Sequence, residues 1–195
     1  MEPLDPQAAI ETTRRWIAGV VIDLNLCPFA RKVFDADRIR YVVSEATEEK
    51  SLLEELRTEL ETLATADRNA VETTVLIHPQ VLTNFMDYND FLARADRLLK
   101  TLKLEGVIQI ASFHPDYQFE GTTVDSVENF TNRSPYPMLH LLREASISEL
   151  AMSEESLQEI PERNIRTLRT LGRDEMVRRL KALDTSPPRK QGMPP

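Results

Sequence analysis

Two periodicities of hydrophobic and polar residues alternate along the first part of the chain. Segments rich in β-branched and aromatic residues predict three strands, over Arg38–Glu45, Glu72–His78 and Val107–Phe113. Between them, apolar residues recur at helical spacing over Glu48–Ala66 and Asp87–Lys103. Strands and helices in this succession are typical of right-handed crossovers between parallel strands. We therefore expect an α/β fold built on a small, parallel, three-stranded sheet with crossover helices.

Further helices are expected at both ends of the chain. Asp5-Pro6 supplies an N-cap and a first helical residue, and apolar residues follow at helical spacing toward Asn25. Near the other end, Pro161–Leu171 and Asp174–Leu183 predict two helices separated by a glycine. The pattern as a whole predicts a single α/β domain over residues 1–183.

The sequence leaves the topology of the sheet open, and it indicates a different character for the last residues of the chain. A ferredoxin-like α+β sheet with one antiparallel strand is the alternative, and it would need a fourth strand, for which Asp116–Phe119 is the candidate. Residues 184–195 contain four prolines, and Met193 is their only apolar residue. Such a composition cannot bury enough apolar surface to fold, so we expect a disordered tail there.

Composition narrows the class of protein. The net charge of −8 argues against a nucleic-acid groove, which needs clustered Lys and Arg. Cys27 is the one cysteine, which excludes an internal disulfide and fits a reducing compartment. No apolar run approaches the roughly 18 residues of a membrane span, and no signal peptide opens the chain. We expect a soluble, cytoplasmic protein, and the sequence leaves its oligomeric state undetermined.

The polar stretch Ser112–Glu144 is longer than a simple connection requires. It follows the third predicted strand, which ends at His114-Pro115, just as the second ends at His78-Pro79. In a parallel sheet both histidines would lie at the carboxyl edge, where open α/β sheets bind their ligands. The stretch is therefore the first candidate for a functional site.

A helix is predicted from Ser134-Pro135 onward, again with a cap followed by proline. Its buried face would contain Met138, Leu141, Leu142 and Ala145. The opposite face would contain Tyr136, His140, Arg143 and Glu144. Those four side chains could serve a site, and the alternative is that they form an ordinary solvent-facing surface.

An anion site is one chemistry that these residues suggest. Arg133 precedes the predicted helix N-terminus, where free N–H groups attract anions. Pro135 and Pro137 remove two of those donors, so an anion would depend on side chains. The candidate ligand-binding residues are Asn132, Arg133, Ser134, Tyr136 and Arg143, with His114 and His140 as candidate catalytic acid–base residues.

Two other kinds of site are weaker candidates. His114, Asp116, His140 and Glu144 supply nitrogen and oxygen ligands for a divalent metal, if a helix sets the last two one turn apart. Cys27 is a candidate reactive thiol. The favoured interpretation is a buried structural cysteine, because Cys27 lies at a predicted helix end and not at a start.

Several motifs resemble a bacterial domain-of-unknown-function family, number 1415. They are Leu26-Cys27-Pro28-Phe29-Ala30, Glu72-Thr73-Thr74, Tyr88-Asn89-Asp90-Phe91-Leu92, Ala111-Ser112-Phe113-His114-Pro115, Thr131-Asn132-Arg133-Ser134-Pro135-Tyr136-Pro137 and Ile160-Pro161-Glu162-Arg163-Asn164-Ile165. The resemblance covers about Ile10 to Gly172. It implies a single bacterial domain and no particular reaction, and it points to Cys27, His114, Asn132, Arg133, Tyr136, His140 and Arg143.

Three hypotheses about function follow. The first is an enzyme or binding protein for a small anionic metabolite that uses His, Arg and Asn side chains without a metal. The second is a divalent-metal hydrolase, and the third is a non-catalytic module that binds partners through its arginine-rich C-terminal helices. We favour the first. The sequence does not decide whether the protein is an enzyme, nor does it identify a cofactor.

Overall fold

The structure is a computed structural model that describes residues 5–151 and 159–183. The expected disordered tail, residues 184–195, lies outside the described residues. In the described part of the chain, no helix combines the length and the apolar character needed to cross a membrane.

The N-terminal helix changes its winding part-way along. Helix α1 spans Pro6–Trp16, and the side chain of Asp5 accepts a hydrogen bond from the backbone N–H of Gln7 (3.0 Å), which confirms the predicted cap. The chain then continues as a π-helix over Ile17–Ile22. A short helix α2 follows at Ala30–Asp35.

Four strands form one sheet. They are β1 (Ile39–Val43), β2 (Thr73–Ile77), β3 (Ile108–Phe113) and β4 (Met138–Arg143), in the order β1-β2-β4-β3. β1 and β2 are parallel, and β4 is antiparallel to both of its neighbours. The three predicted strands are confirmed and run in the same direction. The expected all-parallel sheet is wrong, because β4 separates β2 from β3.

The helix predicted from Ser134 onward is also wrong, because Met138–Arg143 is the central strand β4. Both faces of a central strand are covered, so its apolar residues do not alternate cleanly with polar ones and fit a helical pattern equally well. The candidate fourth strand at Asp116–Phe119 is not a strand. The side chains of Tyr136, His140, Arg143 and Glu144 therefore do not share a helical face.

Two crossover helices pack on one face of the sheet. They are α3 (Glu49–Thr65) and α4 (Phe85–Thr101), which confirms both predicted helices. Asn84 caps the N-terminus of α4, and its side chain accepts a hydrogen bond from the backbone N–H of Met86 (2.9 Å). Their apolar stripes form a core with the sheet that includes Leu52, Leu56, Leu60, Tyr88, Phe91, Leu76, Leu139 and Leu141.

The other face of the sheet is covered by the two ends of the chain. Helix α5 (Glu144–Ala151) follows β4 directly, and α6 (Glu159–Leu171) and α7 (Arg173–Ala182) are the two predicted C-terminal helices. They join at Gly172, which has φ 81°. This second core contains Trp16, Ile17, Val20, Val75, Phe130, Met138, Leu168 and Met176.

Candidate functional site

A cavity of about 90 Å³ lies in the second core, between the sheet and the N-terminal helices. All four strands contribute to its wall, together with the π-helix, α2 and α5. Most of the wall is apolar and comes from residues such as Trp16, Ile17, Val21, Phe113, Met138 and Leu142. The polar residues that contribute to the wall are Cys27, Glu72, Thr73, His140, Arg143 and Ser146.

The π-helix Ile17–Ile22 forms one side of this cavity. Its hydrogen bonds span five residues, as in the bond from the N–H of Asp23 to the carbonyl of Ala18 (3.1 Å). Its β-branched residues lose side-chain freedom in an α-helix, which favours a departure from regular winding here. Ile17 and Val21 line the cavity. π-helical segments are rare in proteins, and those that occur are often found at functional sites. The π-helix on its wall therefore makes this cavity a candidate site.

His140 lies in the middle of β4 and borders the cavity. Its Nε2 is 2.8 Å from the hydroxyl oxygen of Thr73, and that hydroxyl donates to the carbonyl of Leu141 (2.5 Å). Since the threonine has only one hydroxyl proton, we assign the proton between the two side chains to His140 Nε2. Nδ1 is then an acceptor with no partner among the described residues. Burial lowers the pKa of His140 to about 4, so the ring is neutral at neutral pH.

Two residues named on the cavity wall have a buried N–H donor without an acceptor in the described part of the chain. Arg143 donates from Nη2 to the carbonyls of Ala66 (3.0 Å) and Val71 (3.2 Å), yet its buried Nε–H has no partner within residues 5–151 and 159–183. Nor does its guanidinium form an ion pair with a described carboxylate. The indole N–H of Trp16, a residue only 3% exposed, likewise lacks a partner there. Because Arg143 pairs with Ile108 of the first core and donates toward the end of α3, its guanidinium lies on the α3–α4 face of the sheet, away from the cavity. Buried donors are normally satisfied, so these two require an explanation.

A second cavity, polar and about 300 Å³ in volume, adjoins the first. The two share Phe29, Val33, Glu72 and Ser146. We call the apolar one the inner cavity and the polar one the outer cavity. An apolar chamber that opens onto a charged one suits a molecule with one apolar end and one charged end.

The outer cavity contains a network of charges around Glu72. This buried carboxylate accepts from Arg38 (3.3 Å), from Arg68 (3.1 Å) and from the hydroxyl of Ser146. Arg68 also pairs with Glu149 (2.6 Å), and these contacts raise the pKa of the Arg68 guanidinium and lower that of Glu149. The network leaves Glu72 fixed at the boundary between the two cavities.

Cys27 lies on the inner-cavity wall, between the π-helix and α2. The residue is half-buried, and burial raises the pKa of its thiol. The protonated thiol is therefore the main form at neutral pH, which is unfavourable for a nucleophile. Its part in the site is as a small apolar wall group.

The histidine that follows β3 is fully buried on the other side of the sheet. His114 packs against Phe85 and Tyr88 of α4, with ring centroids 5.5 and 5.2 Å away. Its Nδ1 accepts from the N–H of Asp116 (3.0 Å), and its Nε2 donates to the carbonyl of Leu82 (3.2 Å). Both ring nitrogens are thus occupied, and burial lowers the pKa of His114. This geometry fixes the start of the polar loop.

Arg133 holds the same loop together from within. It is 8% exposed, donates from Nε to the carbonyl of Tyr117 (3.2 Å) and from Nη2 to that of Val124 (2.8 Å), and lies 4.7 Å from the ring centre of Phe130. Burial lowers the pKa of its guanidinium, which has no ion pair with a described carboxylate. The guanidinium of Arg133 therefore contacts two backbone carbonyls and one aromatic ring of the same loop.

The neighbours of Arg133 also bond to the loop and the sheet. Asn132 donates to the carbonyl of Ser112 (3.0 Å), and the hydroxyl of Ser134 donates to the carbonyl of Tyr136 (2.7 Å). Tyr136 itself packs against the second core. Neither His114 nor the segment Asn132–Tyr136 lines the inner or the outer cavity. Of the candidate ligand-binding and acid–base residues, only His140 and Arg143 belong to the cavity wall, and their side chains lie on opposite faces of β4.

The four candidate metal ligands are not gathered either. In the part of the chain that the structure describes, no group of three or more His, Cys, Asp or Glu residues is arranged to hold an ion. His114 lies on the α4 side of the sheet, whereas His140 borders the inner cavity on the opposite side. The metal-hydrolase alternative therefore has no geometric support.

The model of a family described as "Protein of unknown function (DUF1415)" matches residues 8–178. The chain belongs to this family. The resemblance carried by the sequence motifs is thereby confirmed. Searches of curated proteins and of solved structures find no match. Because the description of the DUF1415 family names no activity, function has to be argued from the site.

In this DUF1415 chain, four polar residues on the wall of the inner cavity have no counterpart among the sequence candidates: Trp16, Glu72, Thr73 and Ser146. Trp16 and Thr73 lie at buried positions of a helix and a strand, where side chains are expected to be core. One signal was present in the sequence: Glu72-Thr73-Thr74 places polar residues at the start of a buried strand. Buried polar residues at such a position require partners, which the fold supplies in His140 and Ser146.

Proposed function

We propose that the protein binds a small anionic molecule at the junction of the inner and outer cavities, with Lys32 of the outer cavity as the anion-binding residue. The observation that carries the proposal is the positive charge of the outer cavity. Lys32 lines this cavity, and its ammonium group forms no hydrogen bond or ion pair with another described residue. An anion beside Lys32 would pair with its charge.

The charges around the cavities favour an anion as well. Lys32, Arg38 and Arg68 line the outer cavity, against Glu72 and Glu149. Three cations against two carboxylates make the local balance positive in a chain whose net charge is −8. A positive site on an acidic protein attracts anions and repels cations.

His140 supplies the second polar function of the site. With Nε2–H bonded to Thr73, its Nδ1 can accept a hydrogen bond or a proton from the bound molecule. The lowered pKa, about 4, keeps the ring in this accepting form at neutral pH. We assign His140 the role of acceptor, and of general base if the bound molecule is transformed.

The interaction-module alternative has less support. The arginines of α6 and α7 would have to offer unpaired positive charge to a partner. Most of them are paired within the chain: Arg166–Glu162, Arg169–Glu128, Arg173–Asp125, Arg178–Glu175 and Arg179–Asp23. The C-terminal helices thus present a charge-balanced surface.

The proposal can be tested through Trp16, because it is the only tryptophan of the chain and lines the inner cavity. Small carboxylates, phosphates and sulfonates are titrated beside their neutral isosteres, such as butanoate beside butanamide. Tryptophan fluorescence and ligand-observed NMR report binding. We expect at least one anion to bind about tenfold more tightly than its neutral isostere, since charged hydrogen bonds contribute about 1.5–3 kcal/mol.

Two variants locate the binding. Lys32→Gln is expected to remove most of the preference for the anion, whereas Arg166→Gln, at an exposed arginine, is expected to leave it unchanged. Circular dichroism verifies that both variants are folded. If no anion is preferred over its isostere in the wild type, or if Lys32→Gln retains the full preference, the proposal is wrong.

A further inference from the structure

We propose that the inner cavity holds a short aliphatic group bearing a hydroxyl, about four non-hydrogen atoms in size, whose O–H donates to Nδ1 of His140. The hydroxyl-bearing group is the neutral end of the anion whose charge lies in the outer cavity, and in this respect the inference rests on the proposed function. Three features carry it: the free ring nitrogen of His140, the bonding of the other polar groups on the wall, and the volume of the cavity.

Nδ1 of His140 is an acceptor that faces the inner cavity. The other ring nitrogen, Nε2, is bonded to Thr73, and no described residue forms a hydrogen bond with Nδ1. β4 is a central strand covered on this face by the second core, yet His140 keeps part of its surface accessible. Because His140 borders the inner cavity, this accessible part faces the cavity. A hydrogen-bond donor placed there would find Nδ1 ready to accept.

The other polar side chains between His140 and the outer cavity are already bonded. The hydroxyl of Thr73 accepts from His140 and donates to the carbonyl of Leu141, and the hydroxyl of Ser146 donates to Glu72. A buried water needs about two to four polar partners, so water alone is a poor occupant beside a single free acceptor. A molecule with one donor on an apolar body uses that acceptor and buries its carbon atoms against the wall.

The apolar wall favours a neutral donor over a charged one. Val21, Phe113 and Leu142 line the cavity, and Glu72 at its boundary is already bonded to two arginines. An ammonium group or a carboxylate among these apolar side chains would be desolvated without a partner of opposite charge. A hydroxyl donates a hydrogen bond and carries no net charge, so it is the donor that this wall accommodates.

The volume limits the size of the group. A cavity of about 150 Å³ lined by aliphatic and aromatic residues accommodates benzene, with six carbons. In proportion, the 90 Å³ of the inner cavity accommodates about four non-hydrogen atoms. A larger group would have to displace the walls. One wall is the pair Trp16 and Phe113, whose rings pack edge to face 5.3 Å apart in the second core.

The test compares 2-propanol with acetone, which has the same number of non-hydrogen atoms but no donor. The full chain is titrated with each, and ligand-observed NMR measures the roughly millimolar binding that molecules of this size can reach. We expect 2-propanol to bind about tenfold more tightly, because acetone leaves Nδ1 without a donor. The ¹⁵N resonance of Nδ1 should shift with 2-propanol only. Cyclohexanol, which is too large for the cavity, should bind more weakly than 2-propanol.

Three variants locate the binding. In His140→Gln the amide reaches the position of Nε2 but leaves no atom at that of Nδ1, so 2-propanol and acetone should bind equally. Val21→Phe fills the inner cavity and is expected to abolish binding of both molecules. Val107→Phe makes the same change at a residue 47% exposed and is expected to have no effect. Circular dichroism verifies that the variants are folded.

The outcomes separate this inference from the proposed function. Equal binding of 2-propanol and acetone by the wild type, or a full preference for 2-propanol in His140→Gln, overturns the inference. If an anion is preferred over its isostere but 2-propanol is not preferred over acetone, the inference fails and the proposed function stands. If 2-propanol is preferred but no anion is, the hydroxyl site stands and the proposed function fails.

Discussion

The polar loop between His114 and Pro137 and the inner cavity beside the π-helix both contain a histidine, but the two histidines are bonded differently. In the loop, both ring nitrogens of His114 and two nitrogens of Arg133 bond to the backbone. At the cavity, His140 keeps one ring nitrogen without a partner among the described residues, and the indole N–H of Trp16 lacks an acceptor there. The loop uses its polar groups to hold its own shape, whereas polar atoms at the cavity have no partner in the described chain.

This difference shows that residue type alone does not identify a site. Histidine and arginine are typical of both binding sites and well-bonded loops, and their free donors and acceptors distinguish the two. A free polar atom is not sufficient either. His78 Nε2 and Thr74 Oγ1 are buried without partners in the described chain, yet neither residue lines the inner or the outer cavity. A candidate site requires a free polar atom that also borders a cavity.

Acid pH should produce the largest effect, and it should act through the histidines on both faces of the sheet. His78 is fully buried beside Tyr88. Burial lowers the pKa of His78 and that of His140 to about 4, and it lowers the pKa of His114 as well. In the unfolded chain they titrate near pH 6.5, so the unfolded state binds more protons between that pH and 4. Stability is therefore complete above about pH 6.5 and is lost as the pH falls. We expect His78 alone to account for on the order of 3 kcal/mol.

Urea unfolding at about pH 7, 6 and 5 measures this loss. A His78→Gln variant should be less stable than the wild type at neutral pH and should depend less steeply on pH. If the wild type and the variant lose stability in parallel between pH 6.5 and 5, His78 does not carry the effect. The burial of His78 would then not explain why the protein loses stability at acid pH.

Arg133→Ala is expected to give the next largest effect. The change leaves the carbonyls of Tyr117 and Val124 without the donors they have now, and it removes the contact with Phe130. We expect a loss of about 3 kcal/mol in the free energy of unfolding, because hydrogen bonds to charged groups are worth about 1.5–3 kcal/mol each. Chemical denaturation measures the loss, and Arg166→Ala, which removes an exposed arginine, is the control.

The same variant separates stability from ligand binding. Once affinity is corrected for the folded fraction, Arg133→Ala should bind an anion as the wild type does. A variant that is fully stable but no longer binds would move the anion site back to the loop, and the comparison between loop and cavity would be reversed.

Much of the fold is predictable from sequence because local patterns dictate it. α3 and α4 present regular apolar stripes, and β1 to β3 are rich in β-branched and aromatic residues. β4 is not predictable in this way. Its sequence, MLHLLR, is apolar toward both faces, and its place between β2 and β3 depends on pairing with distant residues.

The site was less accessible to sequence reasoning than the fold. His140 and Arg143 were candidates, but on a helical face that does not exist. The inner cavity draws its wall from separate segments that meet only in the folded chain. Sequence also does not show where a donor finds its acceptor, so His114 and His140 could not be told apart before the fold was known.

The smallest expected effect on stability is that of His140→Gln, and it sharpens the comparison most directly. The change removes one side-chain bond, to Thr73, whose hydroxyl still donates to the carbonyl of Leu141. We expect a cost below about 1 kcal/mol, whereas His114→Gln, which breaks two buried bonds, should cost about 2–3 kcal/mol. Affinity for the anion that the wild type binds most tightly should show the reverse order, falling severalfold in His140→Gln and staying unchanged in folded His114→Gln. Equal stability losses in the two variants would make His140 an ordinary core residue and would leave Lys32 as the only residue assigned to the ligand.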